Sequence, residues 1–79
     1  MNFLEDLVRF SEHRRLIAII VPHDRYEDVR RFMASTVYAH GNWDRERLSY
    51  RGAPFVRTEF SDSYVIEDTP DGPMVHMLR

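Results

Sequence analysis

Leu16-Ile17-Ala18-Ile19-Ile20-Val21 is an unbroken run of six apolar residues closed by Pro22, and its reading decides the fold. The run is rich in β-branched side chains and too short for a buried helix. Pro22 has no N–H with which to continue a ladder. Such a run is expected as a strand covered on both faces, at the centre of a sheet.

Reading outward, the flanks are helical. Asn2 with Glu5 three residues later has the spacing of a capping box, with Asn in the place of Ser or Thr. Phe3, Leu4, Leu7, Val8 and Phe10 then share one side, which predicts a helix over about 2–14. After the strand, Asp24 and Glu27 repeat the cap-and-return spacing. Tyr26, Val29, Phe32, Met33, Thr36 and Val37 continue one face, and Gly41 stands where a left-handed residue would end the helix. A second helix over about 25–40 is expected, with Glu27 and Arg31 supporting each other at i,i+4.

From Leu48 the period changes to two. Leu48 and Tyr50 alternate with Arg47, Ser49 and Arg51, and Gly52-Ala53-Pro54 bends the chain. Phe55 to Phe60, Tyr64 to Glu67 and Met74 to Leu78 read as further strands, separated by turns at Ser61-Asp62-Ser63 and Thr69-Pro70-Asp71-Gly72. The expected class is α+β: two helices packed on a mainly antiparallel sheet, in the order α-β-α-β-β-β-β. The first strand and second helix form a crossover, a β-meander follows, and residues 1–79 make a single compact domain.

Composition narrows the function. The chain has 79 residues, so its core is thin, and it has no cysteine, which removes disulfides and every cysteine-based metal site. Apolar packing or self-association is left to stabilise it. The longest apolar run is far too short to cross a bilayer, and Glu5 and Asp6 stand where a secretory signal would be basic. A cytoplasmic location in the host cell is the expectation, with no membrane partner. All eleven basic residues are arginine, and the net charge of −2 disfavours direct binding of nucleic acid. Residues 58–79 carry Arg79 against Glu59, Asp62, Glu67, Asp68 and Asp71. This acidic end could steer a basic partner, although surface charge is more often plain solvation.

Motifs for chemistry are missing. His13, His23, His40 and His76 lack the i,i+3 or i,i+4 spacing of a helical metal site, and His23-Asp24 alone is a weak likeness to the metal dipeptide of HD-type phosphohydrolases. The three glycines form no phosphate loop, and no serine sits in a nucleophile elbow. No enzyme, metal or cofactor is therefore expected. The best enzymatic alternative is a small RNase-type toxin in which Arg47, Arg51, Arg57, Glu59 and His76 converge.

Binding surfaces draw their strength from Trp, Tyr and Arg. Tyr38, Trp43, Arg45, Arg47 and Tyr50 supply all three around the exit of the second helix, so they are candidate partner contacts. The acidic residues Glu59, Asp62, Glu67 and Asp68 are candidates too, presented to a basic channel. For Trp43, Tyr38 and Tyr50 a core role competes with this. The apolar terminal strand Met74 to Leu78 is a further candidate, as an edge through which the chain forms a homodimer.

In profile the chain resembles accessory proteins of phages and mobile elements: tiny, α+β, without cysteine or lysine. Within that group it is similar to anti-CRISPR proteins. The likeness implies a non-enzymatic protein-binding inhibitor whose partner is a host protein or ribonucleoprotein, a CRISPR effector complex, kept from target DNA by steric occlusion. Tyr50-Arg51-Gly52-Ala53-Pro54-Phe55-Val56 also resembles a strand–bend–strand phrase of phage structural proteins. That implies the alternative of a virion or assembly accessory protein.

Overall fold

The computed structural model describes residues 3–35 and 42–78. In chain order these form α1 (Phe3–Ser11), β1 (Leu16–Pro22), α2 (His23–Ser35), β2 (Trp43–Asp44), β3 (Ser49–Tyr50), β4 (Ala53–Thr58), β5 (Ser63–Thr69) and β6 (Gly72–Leu78). The strands make one six-stranded sheet in the order β2-β3-β4-β1-β5-β6. The class is α+β with a mostly antiparallel sheet, as the periodicity predicts, and with one short strand, β2, more than expected.

The apolar run does take an inner place. β1 pairs in parallel with β4, Ile19 opposite Phe55, and antiparallel with β5, Ile19 opposite Val65. The parallel pair is the crossover foreseen through α2. The expected meander is corrected here: β4 and β5 do not pair, because β1 lies between them. The return through α2 sets β4 on one side of β1, and residues 59–62 carry the chain past β1 so that β5 completes its other ladder.

A second correction concerns coverage. Leu7 of α1 and Val29 and Met33 of α2 join Leu16, Ile19, Val21, Ala53, Phe55 and Val65 in one core. Alternation along a strand sends Ile20 and Ala18 to the opposite face. A register shift between Leu16 and Ala18 turns Ile17 outward and lets Leu16 rejoin the core. Both helices lie on one side, so β1 is covered on one face only. Its continuous run marks two apolar faces, and the helices cover one of them.

Helix ends differ from the sequence reading. α1 stops at Ser11, where Arg14 N–H donates to the Ser11 carbonyl at 3.1 Å and His13 takes φ 63°. A left-handed residue after a helix is normally Gly, since an L side chain there is strained. His13→Gly is thus expected to raise stability by about 0.5–1 kcal/mol, a gain of several degrees in Tm, checked by thermal melting.

α2 begins at His23, so Asp24 sits inside its first turn instead of capping it, and favours the helix by its charge near the N-terminus. The expected Glu27–Arg31 pairing is replaced by i,i+3 pairs, Arg30 with Glu27 at 3.1 Å and Arg31 with Asp28. The end expected for this helix, including Gly41, lies outside the described residues.

Arg51 and Gly52 connect β3 to β4 with φ 53° and 83°, both positive, the signature of a type I′ hairpin turn. Arg51 stands where Asn is commonest. It is held by its N–H on the Asn42 carbonyl at 2.6 Å and its Nη1 on the Ser11 carbonyl at 2.7 Å, which caps the end of α1.

Candidate functional site

The face of the sheet away from the helices is apolar and open. Register aligns Ile20 of β1 with Val56 of β4 and Tyr64 of β5, and Tyr64 with Met77 of β6. One step along, Ala18 aligns with Ile66 and Val75. Val56 is 45% exposed and Val75 62%. Phe60, in the β4–β5 connection, is 70% exposed. Ile20, Val56, Thr58, Phe60, Tyr64, Ile66 and Val75 line a shallow groove of about 490 Å³ across these strands, with Arg57 at its margin.

Arg57 does not charge this surface strongly, because its guanidinium lies 5.6 Å over the Tyr26 ring and is drawn toward His23 on the helix side. Asp68, alternating with Ile66 and Tyr64, sits at the far end of the same face. A contiguous apolar patch of this kind on a small domain marks an interaction surface more often than chance exposure. The surface offers shape and apolar area, with a hydroxyl at Tyr64 and Thr58.

The residues singled out from sequence are distributed differently. Trp43 is half-buried among rings: 5.3 Å from Phe32, 4.3 Å from Tyr50, and stacked at 6.3 Å on Phe55. It closes one end of the core. Tyr50, only 3% exposed, is corrected from a partner contact to a core residue. It faces the helices, and Ser11 Oγ, which itself donates to the Val8 carbonyl at 2.9 Å, lies 3.1 Å from its hydroxyl. Tyr38 lies outside the described residues. Arg45 and Arg47 are exposed in the β2–β3 loop, where Asp44 Oδ1 accepts the N–H groups of Glu46 and Arg47.

Glu59, Asp62 and Asp68 are exposed, but Glu67 is committed within the fold. His76 Nε2 donates to Glu67 Oε1 at 2.8 Å, and Arg14 Nη1 donates to the same oxygen at 3.1 Å. Phe10 backs the cluster, edge-on to His76 at 4.9 Å and beneath Arg14 at 4.3 Å. The hydrogen bond from His76, then the one from Arg14 and the positive charge beside it, hold the Glu67 carboxyl below its ordinary value of 4.5 against the opposing effect of burial. A lowered carboxyl pKa contributes stability that is complete above the unfolded value and is lost as pH falls through the folded one. Stability is therefore expected to decline below about pH 4.5, and Glu67→Gln should flatten that decline in acid titrations followed by circular dichroism.

The residues of an RNase-type site do not converge. Arg57 on β4 and His76 on β6 are separated by β1 and β5, about 14 Å at ordinary strand spacing. His76 pairs with Glu67 and not with Glu59. Arg51 is spent on the end of α1. Among the described residues, no three His, Asp or Glu side chains gather as metal ligands, and no helix is long and apolar enough to cross a membrane.

The open face escaped sequence reasoning, although a signal for it exists. In Phe55-Val56 and Tyr64-Val65-Ile66 both strand parities are apolar, while two short helices suffice to cover one face. No protein-family model matches this chain, and comparison with curated proteins and with solved structures found no match.

Proposed function

We propose that this chain is a non-enzymatic protein-binding inhibitor that acts by occlusion, and that it seats its partner on the open face of the sheet. One observation carries the proposal: an uncovered apolar groove formed by Ile20, Val56, Tyr64, Ile66 and Val75 beside the protruding Phe60. Rigid strands position these side chains, so little entropy is lost on docking. A ring exposed at the rim of an apolar groove is the type of anchor on which interfaces depend. The exposed Arg45 and Arg47 and the acidic Glu59, Asp62 and Asp68 do not line this groove; as exposed charges they steer encounter and add little affinity.

The likeness in profile to anti-CRISPR proteins directs the proposal to a CRISPR effector complex in the host cytoplasm, kept from its target DNA. The test is target-DNA binding by purified effector complexes in the presence of increasing amounts of the protein. Inhibition by the wild type, lost in Phe60→Asp with an unchanged melting curve, supports the proposal. Undiminished DNA binding at saturating protein across effector types removes the CRISPR target, and equal inhibition by Phe60→Asp removes the face.

A further inference from the structure

The two edges of the sheet are unlike. β2 is only two residues long, whereas β6 runs for seven, Gly72–Leu78, with Met74, Val75 and Met77 about half exposed or more. Natural edges are guarded by brevity, charge, proline or bulges. Along Met74–Leu78 none of these is present, and Pro73 guards only the beginning of the strand.

The direction of the backbone groups follows from one hydrogen bond. Asp68 N–H donates to the Arg15 carbonyl at 2.8 Å, next to β1, so the backbone of Asp68 faces away from β6. Its pairing with Pro73 is therefore of the non-hydrogen-bonded kind, which suits a residue without an N–H. Pairs of the two kinds alternate along an antiparallel ladder. Ile66 with Val75 and Tyr64 with Met77 are consequently non-hydrogen-bonded as well. Val75 and Met77 turn their N–H and C=O groups outward, to the free edge.

We infer that a second copy of this chain pairs with that edge, β6 against β6 in antiparallel fashion about a two-fold axis at His76. In this register Val75 of each protomer exchanges both backbone hydrogen bonds with Met77 of the other, making four in all, and Pro73 stays outside the paired stretch. Val75 meets Met77 across the axis on the open face, and Met74 meets Leu78 on the helix side. No acidic or basic residue of 74–78 other than His76 enters the seam, so identical strands meet without opposed carboxylates or guanidinium groups. His76 faces its counterpart at the axis as a closely spaced, non-hydrogen-bonded pair, its ring already held by Glu67 and Phe10 of its own protomer. The product is a continuous twelve-stranded sheet whose apolar face is twice as long. This inference goes beyond the proposed function and does not depend on it.

The test is sedimentation equilibrium of the intact chain over micromolar to millimolar concentrations, for the wild type and for Val75→Pro. The N–H removed by that substitution is one the fold itself does not use, so the β5–β6 ladder remains. The expected result is reversible association of the wild type to twice the 9.5 kDa chain mass. Val75→Pro should weaken it at least tenfold with an unchanged circular dichroism spectrum. Should Val75→Pro fail to fold, Met77→Lys, which sets a charge in the seam, serves the same purpose. A wild type monomeric at millimolar concentration, or association unaffected by these variants, overturns the inference.

Discussion

Ile19→Ala is expected to cost about 3–4 kcal/mol, in the upper part of the range for deleting a buried aliphatic side chain. Ile19 is fully buried, and it stands where β1, β4 and β5 meet, opposite both Phe55 and Val65. Rigid strands on either side prevent the site from collapsing onto the lost volume. For a domain of this size the whole folding free energy is about 4–12 kcal/mol, so the variant gives up at least about a quarter of it. In urea, with a slope of about 1 kcal/mol/M, the transition should move down by about 3 M. Ile20→Ala, one residue along the same strand on the open face, should cost about 1 kcal/mol or less. The contrast between neighbours measures the one-sidedness of the sheet directly; equal losses would mean that both faces are packed.

Trp43→Ala is the second large effect. The indole contacts Phe32, Tyr50 and Phe55, and its removal opens one end of the core to water. Since Trp43 is half-buried, the expected loss is about 2 kcal/mol, less than the 3–5 kcal/mol of a fully buried tryptophan. That corresponds to a fall in Tm on the order of 10 °C, read by differential scanning calorimetry. The outcome also decides between the two roles the sequence allows this residue. A melting temperature within about 2 °C of wild type, well inside the ordinary surface range, would return Trp43 to the partner-binding surface.

The elements whose signals are local were the legible ones. The 16–21 run, the 3.6-residue periodicity of Leu7 and of Val29 with Met33, and the turn at Thr69-Pro70-Asp71-Gly72 all led to observed elements, because each depends on neighbours in the chain. Pairing is not local. Nothing in Phe55–Phe60 or in 63–69 says that β1 will lie between them, since that depends on where the crossover through α2 returns the chain. The same gap hid the open face. A continuous apolar strand reads identically whether a second layer covers it or solvent does, and only the placement of both helices on one side separates the cases. Tyr50 illustrates the reverse error. Its neighbours Arg47 and Arg51 make it look like a binding residue, yet the type I′ turn at Arg51-Gly52 folds β3 back on β4 and points its ring into the core.

The acidic residues illustrate the limit of charge reading. Glu67 belongs by count to the acidic 59–71 segment, but its carboxylate is paired within the fold with Arg14 and hydrogen-bonded to His76. Glu59, Asp62 and Asp68 retain exposed charge.

Affinity capture of purified effector complexes, the proposed partner, tests the interface most directly, with the bound complex quantified for the wild type, for Val56→Asp and for the double variant Arg45→Ala/Arg47→Ala. The prediction is that Val56→Asp reduces capture at least tenfold while its melting curve stays within about 1 kcal/mol of wild type, and that the arginine variant captures nearly as well as wild type. Capture that survives Val56→Asp and disappears with the two arginines would contradict it.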